Sequence, residues 1–294
     1  MPDSKIVVSL QLKTVIKPFK LQNMNIQNEV FTTIAAANRL VGVSYLGGIN
    51  ISSKLMKNQK VSGHKTYIVY LSPASTSGHN VCSHSTPECR YGCLATSGRF
   101  RLEKLKTVNR IEQARKRKTL AFIQNPEFFM RWLMASIANA RAQALKEGFL
   151  FSVRLNGTAD IDYAKILVDG KNIFDHFPDT VFYDYTKNPD KFIGKPDNYH
   201  LTLSYSGHNW ELCKEHLNRG INVAMVFNLA KKESIPSTYA GYNVIDGDIT
   251  DLRVDEAKGI IVGLHWKTIA DKTTNHLIKT SIFAIQPDNK NINL

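Results

Sequence analysis

LFSVRLNGTADIDYAKILVDGKNIFDHFPDTVFYDYTK, residues 150–187, decides the fold class. It opens on one apolar run, Leu150–Leu155, and reaches another, Thr180–Tyr183, with room between them for a helix-like stretch over Tyr163–Phe174. The rhythm continues through His200–Tyr205 (HLTLSY) and Ile221–Phe227 (INVAMVF), spaced by helix-like stretches at Pro189–Ile193 and Asn209–Asn218. Asn243–Asp246 and Ile260–Leu264 follow as further strands. Strand, helix and strand at this spacing predict βαβ units and a parallel sheet. Runs that are mostly apolar agree with strands buried on both faces.

Upstream, Lys65–Leu71 (KTYIVYL) reads as a strand, and residues 72–98 form a loop rich in Ser, Gly, His and Cys. A connection that long carries function or is tied down by a ligand. Helical spacing then covers Phe100–Ile123 and Glu127–Lys146, broken at Asn125-Pro126, with Gly148 as the C-cap. Residues 5–16 alternate as a strand would, and glycines at Gly42, Gly47 and Gly48 suggest short strands and turns over 24–64. The expected organisation is a strand-rich extension at 1–64, a core at 65–275 and a C-terminal tail at 276–294, unless all three form one domain.

Polar residues gather after each predicted strand: Arg154, Asn156, Thr158 and Asp160; Asp184, Tyr185, Thr186 and Lys187; Ser204, Ser206 and His208; Asn228; Asp246, Asp248 and Asp251; His265 and Lys267. In parallel α/β folds the carboxyl ends of the strands build the ligand site. Arg154, Asn156, Asp160, Asp184, Lys187, Ser204 and Asp246 are therefore candidates to line one. The plainer alternative is that polar loops begin where strands end.

The chain of 294 residues is 43% apolar and carries a formal charge of +13. That charge is uneven. Residues 1–148 hold 22 lysines and arginines against 7 acids, whereas residues 149–294 hold 16 against 18. Such asymmetry suggests a polyanionic partner, most often nucleic acid. It peaks at Arg99, Arg101, Lys104, Lys106, Arg110, Arg115, Lys116, Arg117 and Lys118, against which stand only Glu103 and Glu112. That density suits phosphates, and Tyr91 or Phe100 could stack on unpaired bases, so single-stranded DNA is the expected partner. The alternative is a solvated helix face. The N-terminus lacks the apolar stretch of a signal peptide, and no apolar run reaches the roughly 20 residues of a membrane span. The reading is a cytoplasmic protein.

Cys82, Cys89 and Cys93 fall within twelve residues, HNVCSHSTPECRYGC, in the spacing C-x6-C-x3-C, and Cys213 stands apart in a helical stretch as a core residue. Clustering of this kind favours ligation over a disulfide framework. Soft thiolates select zinc or iron–sulfur centres. Three of them leave a zinc site one ligand short, to be completed by His79 or His84. A [4Fe–4S] cluster takes three cysteines with the last iron open to another ligand. Reduced thiols packed as small hydrophobes, or one nucleophilic cysteine, are the remaining readings. The expectation is a [4Fe–4S] cluster, with zinc as the alternative.

The stretch CSHSTPECRYGCLATSGR resembles the phage family called gene product 88, whose members look like CPGATxxCxxxCYAxxGR here. VRLNGTADIDY, FYDYTK, LTLSYS, VIDGD and DLR also resemble that family, so the likeness runs over roughly residues 65–267. It implies a viral protein with an iron–sulfur cluster on a barrel related to radical SAM enzymes. The implied fold is α/β, a partial TIM-like (β/α) barrel with parallel strands plus an N-terminal basic α/β extension. The cysteine spacing departs from the radical SAM pattern C-x3-C-x2-C, and no GGE-type motif supports SAM binding. Two functions follow: an iron–sulfur protein that binds nucleic acid, or a radical SAM-like enzyme with an open iron at the barrel mouth.

Overall fold

A computed structural model describes residues 25–49, 53–93, 109–269 and 271–286. The predicted strand at 5–16 lies outside them. The sheet is built on seven parallel strands: β2 (His64–Val69), β3 (Leu150–Arg154), β4 (Val181–Thr186), β5 (Tyr199–Ser204), β6 (Val223–Phe227), β9 (Ile261–His265) and β8 (Tyr242–Asp246), side by side in that order. β1 (Gly47–Gly48) pairs antiparallel with β2, and β7 (Thr238–Tyr239) antiparallel with β8. β10 (Ala284–Ile285) joins β6 in parallel where β5 no longer reaches it.

The expected barrel does not close. Both outer edges of the parallel set are already paired, β2 with β1 and β8 with β7, so β2 and β8 cannot pair with each other. The gap is bridged by side chains instead. Helix α2 (Ser53–Ser62) carries Asn58, whose Oδ1 accepts from Asp251 N at 2.7 Å and Thr250 Oγ1 at 3.2 Å in the loop after β8. Lys57 donates to the Asp248 carbonyl of the same loop.

Two layers form on the sheet. Tyr67, Val69, Phe151, Val153, Phe182 and Tyr199 pack in one core with Phe129, Trp132, Leu133 and Ile137 of α5 (Pro126–Lys146). Asn125 fixes the start of α5: its Oδ1 accepts from Phe128 N at 2.9 Å, and Pro126 fills the first turn. Side chains of the alternate residues face the other way. Among them Thr66 and Ser152 hydrogen-bond at 2.9 Å, and Arg154 and Tyr183 reach toward α2 and the 247–253 loop.

Two boundary expectations change. Helix outweighs strand in the segment before β2: α1 (Ile34–Val41) and α2 cover 8 and 10 residues, against the two of β1. Thr33 caps α1 by accepting from Ala36 N at 3.1 Å, and Gly42 ends it in the left-handed region at φ +68°. The Ala-rich run between them outweighs the glycines on which the strand reading rested. Nor is 276–294 simply a tail. Helix α8 (Lys272–Lys279) crosses its start, and β10 lies within the sheet.

Candidate functional site: a three-cysteine cavity at the strand ends

Asn156 organises the turn after β3. Its backbone N–H donates to Asp184 Oδ1 at 2.8 Å and its amide to Asp184 Oδ2 at 3.0 Å, while its Oδ1 accepts from Ile161 N at 2.8 Å. Gly157 N donates to Val69 O at 2.9 Å, an approach so close that a Cβ there would meet that oxygen at 2.5 Å. Asp160 then takes Thr186 Oγ1 at 2.7 Å, Lys187 N at 2.9 Å and the buried Lys191 ammonium at 2.6 Å. This turn fastens β2, β3 and β4 together at their carboxyl ends.

The cysteine loop is seated on the same turn. Asp160 N donates to Val81 O at 2.9 Å, and Cys82 Sγ approaches Thr158 O at 3.9 Å while accepting from Ala74 N at 3.3 Å. Thr86 caps the short helix α3 (Pro87–Tyr91) by accepting from Cys89 N at 3.2 Å, and donates to Ser206 O at 3.1 Å after β5. Gly92 lies against Ile278 of α8 and Trp266, with no room for a Cβ. Burial pushes the Cys82 thiol up to about 11, against the pull of the Ala74 N–H.

Together these segments enclose a cavity of about 200 Å³. Cys82, Cys89 and Cys93 line it, as do Arg154, Asn156, Asp160, Lys187 and Ser204. Two of the predicted strand-end residues do not. Asp184 is buried beneath, receiving Asn156 and the Tyr199 hydroxyl at 3.0 Å, and burial raises its pKa to about 6. Asp246 serves its own turn, accepting from Asp248 N at 2.8 Å. Cys213 is buried in a core with Tyr205, Trp210, Leu217 and Phe227 and does not line the cavity. Tyr205, Val226, Leu264, Trp266 and Phe283 supply apolar walls that no polar strand-end pattern could reveal. Phe283 comes from the segment read as a tail.

Charge in and around the cavity is paired locally. Arg154 donates to Asp251 Oδ2 at 2.6 Å and lies 4.8 Å over the Tyr185 ring. Lys267 sits 3.1 Å from Asp248. The His265 ring bridges Asp248 Oδ2 at 2.9 Å and the Glu233 carbonyl at 2.8 Å. Burial works against the His265 imidazolium, but these acceptors outweigh it and hold its pKa above the ordinary value. Asp246, Asp248 and His265 offer ligand atoms within 4.8 Å of one another, the spacing of an ion site. Both nitrogens of that histidine and the acids already have the partners just named. Burial works likewise against the Lys187 ammonium, which is only half-buried. The charges of Cys89 and Asp160 keep its pKa above the ordinary lysine value.

The basic helix is less open than its sequence implies. Of its predicted contacts, Arg99, Arg101, Lys104 and Lys106 lie outside the described residues. In α4 (Arg110–Gln124), Lys118 is 5% exposed and lies 4.7 Å over the Tyr45 ring. Arg115 packs 5.4 Å over Tyr70, and Lys116 pairs with Glu112 at 2.8 Å. Arg117 donates to Gly42 O at 2.6 Å. It shares a groove with the exposed Arg39 and Arg110, and no acid lines that groove. No described helix is long and apolar enough to cross a membrane.

No curated protein and no solved structure matches the chain. The family model described as Gene product 88 matches residues 49–280, which takes in the cysteine loop, every strand of the parallel set and all of the cavity lining except Phe283. The chain belongs to the Gene product 88 family.

Proposed function

We propose that this protein is an iron–sulfur protein in which Cys82, Cys89 and Cys93 hold a [4Fe–4S] cluster facing a small-molecule site at the carboxyl ends of the parallel strands. The observation that carries the reading is the single cavity lined by three loop thiols and by charged strand-end residues. Thiolates bound to one zinc ion at about 2.3 Å would crowd together, yet the three sulfurs do not fall within 4.8 Å of one another. Ligands on separate irons need no such crowding. His79 and His84, the histidines that could complete a zinc site, are exposed and do not line the cavity. Among the described residues, Asp160, His265 and Asp251 are each engaged by a hydrogen bond or ion pair, which favours an iron left open to an exogenous molecule. Such a cluster supplies electron transfer and a Lewis-acidic iron. The open parallel sheet then serves as a barrel-like scaffold, and SAM is the first small molecule to try.

The test is anaerobic purification with iron and acid-labile sulfide analysis. Cys82→Ser, Cys89→Ser and Cys93→Ser should each lose the cluster, and Cys213→Ser should keep it. Stoichiometric zinc without iron would refute the reading. SAM should alter the EPR signal of the reduced cluster if the site is radical SAM-like.

A second reading, binding of single-stranded DNA in a phage setting, is favoured by the groove of Arg39, Arg110 and Arg117. Affinity for an oligonucleotide should fall steeply with salt, and Arg39→Ala with Arg110→Ala should flatten the slope by about 1–2 in log–log terms. An unchanged slope removes this groove from the reading.

A further inference from the structure

Two of the three lysines and arginines that line the cavity have a carboxylate of their own. Arg154 has Asp251 at 2.6 Å, and Lys267 has Asp248 at 3.1 Å. The third is Lys187. Among the described residues no carboxylate lies within ion-pair distance of its ammonium; Asp160 spends its oxygens on Thr186, Lys191 and the Lys187 backbone N–H. The Lys187 side chain instead lines the cavity together with the sulfurs of Cys82, Cys89 and Cys93. The backbone of Lys187 is pinned to the turn after β3, so its side chain is held on the cavity side with the thiols.

We infer that Lys187 is a positioning residue for the cluster's electronics, its ammonium sharing the cavity with the cysteine ligands and holding the reduction potential up. The inference rests on the iron–sulfur reading above. A positive charge beside the ligating sulfurs stabilises the added electron. The couple concerned takes up one electron from an external reductant and breaks no bond. A lysine at this position also accounts for the missing carboxylate, because the thiolates themselves are the counter-charge.

The test is a potentiometric EPR titration of the anaerobically reconstituted protein, with iron and sulfide measured on each sample. Lys187→Met keeps the volume and removes charge and donor. Its midpoint should move negative by at least a tenfold change in the reduced-to-oxidised ratio, about 59 mV for one electron. Lys187→Arg should recover much of that shift. A fully loaded Lys187→Met with an unchanged midpoint overturns the inference. If Lys187→Met takes up no cluster, pulsed EPR of the wild-type protein in D2O decides: no exchangeable deuteron coupled to the cluster overturns it equally. A wild-type protein that takes up no iron and sulfide fails at the earlier reading and is told apart by that measurement.

Discussion

Replacing Lys118 by Met separates the buried part of the basic helix from its exposed part. Lys118 is 5% exposed, and burial, with the charge of Arg115 added, pulls its pKa down to about 7. An unfolded lysine titrates near 10.4, a difference worth roughly 5 kcal/mol at about 1.36 kcal/mol per pH unit. The folded pKa lies below the unfolded one. Between about pH 7 and pH 10 the unfolded chain therefore holds more protons, and stability climbs with pH across that window; below about pH 7 the cost is fully present. Met fills similar space without the charge but gives up the cation–π contact with Tyr45, worth about 0.5–1 kcal/mol. Lys118→Met should thus stabilise the protein by roughly 1–3 kcal/mol near neutral pH. Urea unfolding between about pH 6 and pH 9 should show the wild type gaining up to about 1 kcal/mol per pH unit over the variant. Cysteine titration affects both proteins alike and cancels in the difference. Affinity for an oligonucleotide should not change. Parallel stability profiles, or a destabilised variant at neutral pH, would show that Lys118 is solvated and return it to the phosphate-binding set.

Two further outcomes test the cavity. Asp251→Asn should cost about 3–5 kcal/mol in chemical denaturation, because it leaves the Arg154 guanidinium buried without its counter-charge; a loss under about 1 kcal/mol would mean that the pair is solvated. Gly157→Ala forces a methyl onto Val69 O and the Tyr70 ring, so it should loosen the turn that seats the cysteine loop. Cluster retention should fall more than the urea midpoint, and an unchanged iron content would refute the seating argument.

Local sequence was enough for whatever depends on neighbours in the chain. The parallel strands follow from apolar runs at helix-spaced intervals, and the start of α5 from Asn125-Pro126, because strand burial and helix capping are short-range effects. The thiol spacing and the polar residues after the strands were legible for the same reason, and five of seven strand-end candidates do line the cavity. α1 was legible too, in Thr33, the alanines and Gly42, and was obscured by the neighbouring glycines. Tertiary structure alone decided the rest. Whether the sheet closes depends on which strands take its outer edges, and β1 and β7 lie far from each other in sequence. Which polar residues are structural depends on what packs over them: Asp184 went beneath the cavity and Asp246 into its own turn. The basic run reads as one charged surface in sequence, yet burial splits it, because Tyr45 packs over Lys118 in the body of the helix while Arg110 stands exposed at its first residue. Phe283 reached the cavity only because β10 docks on β6, a pairing of two residues that leaves no periodic trace in the chain.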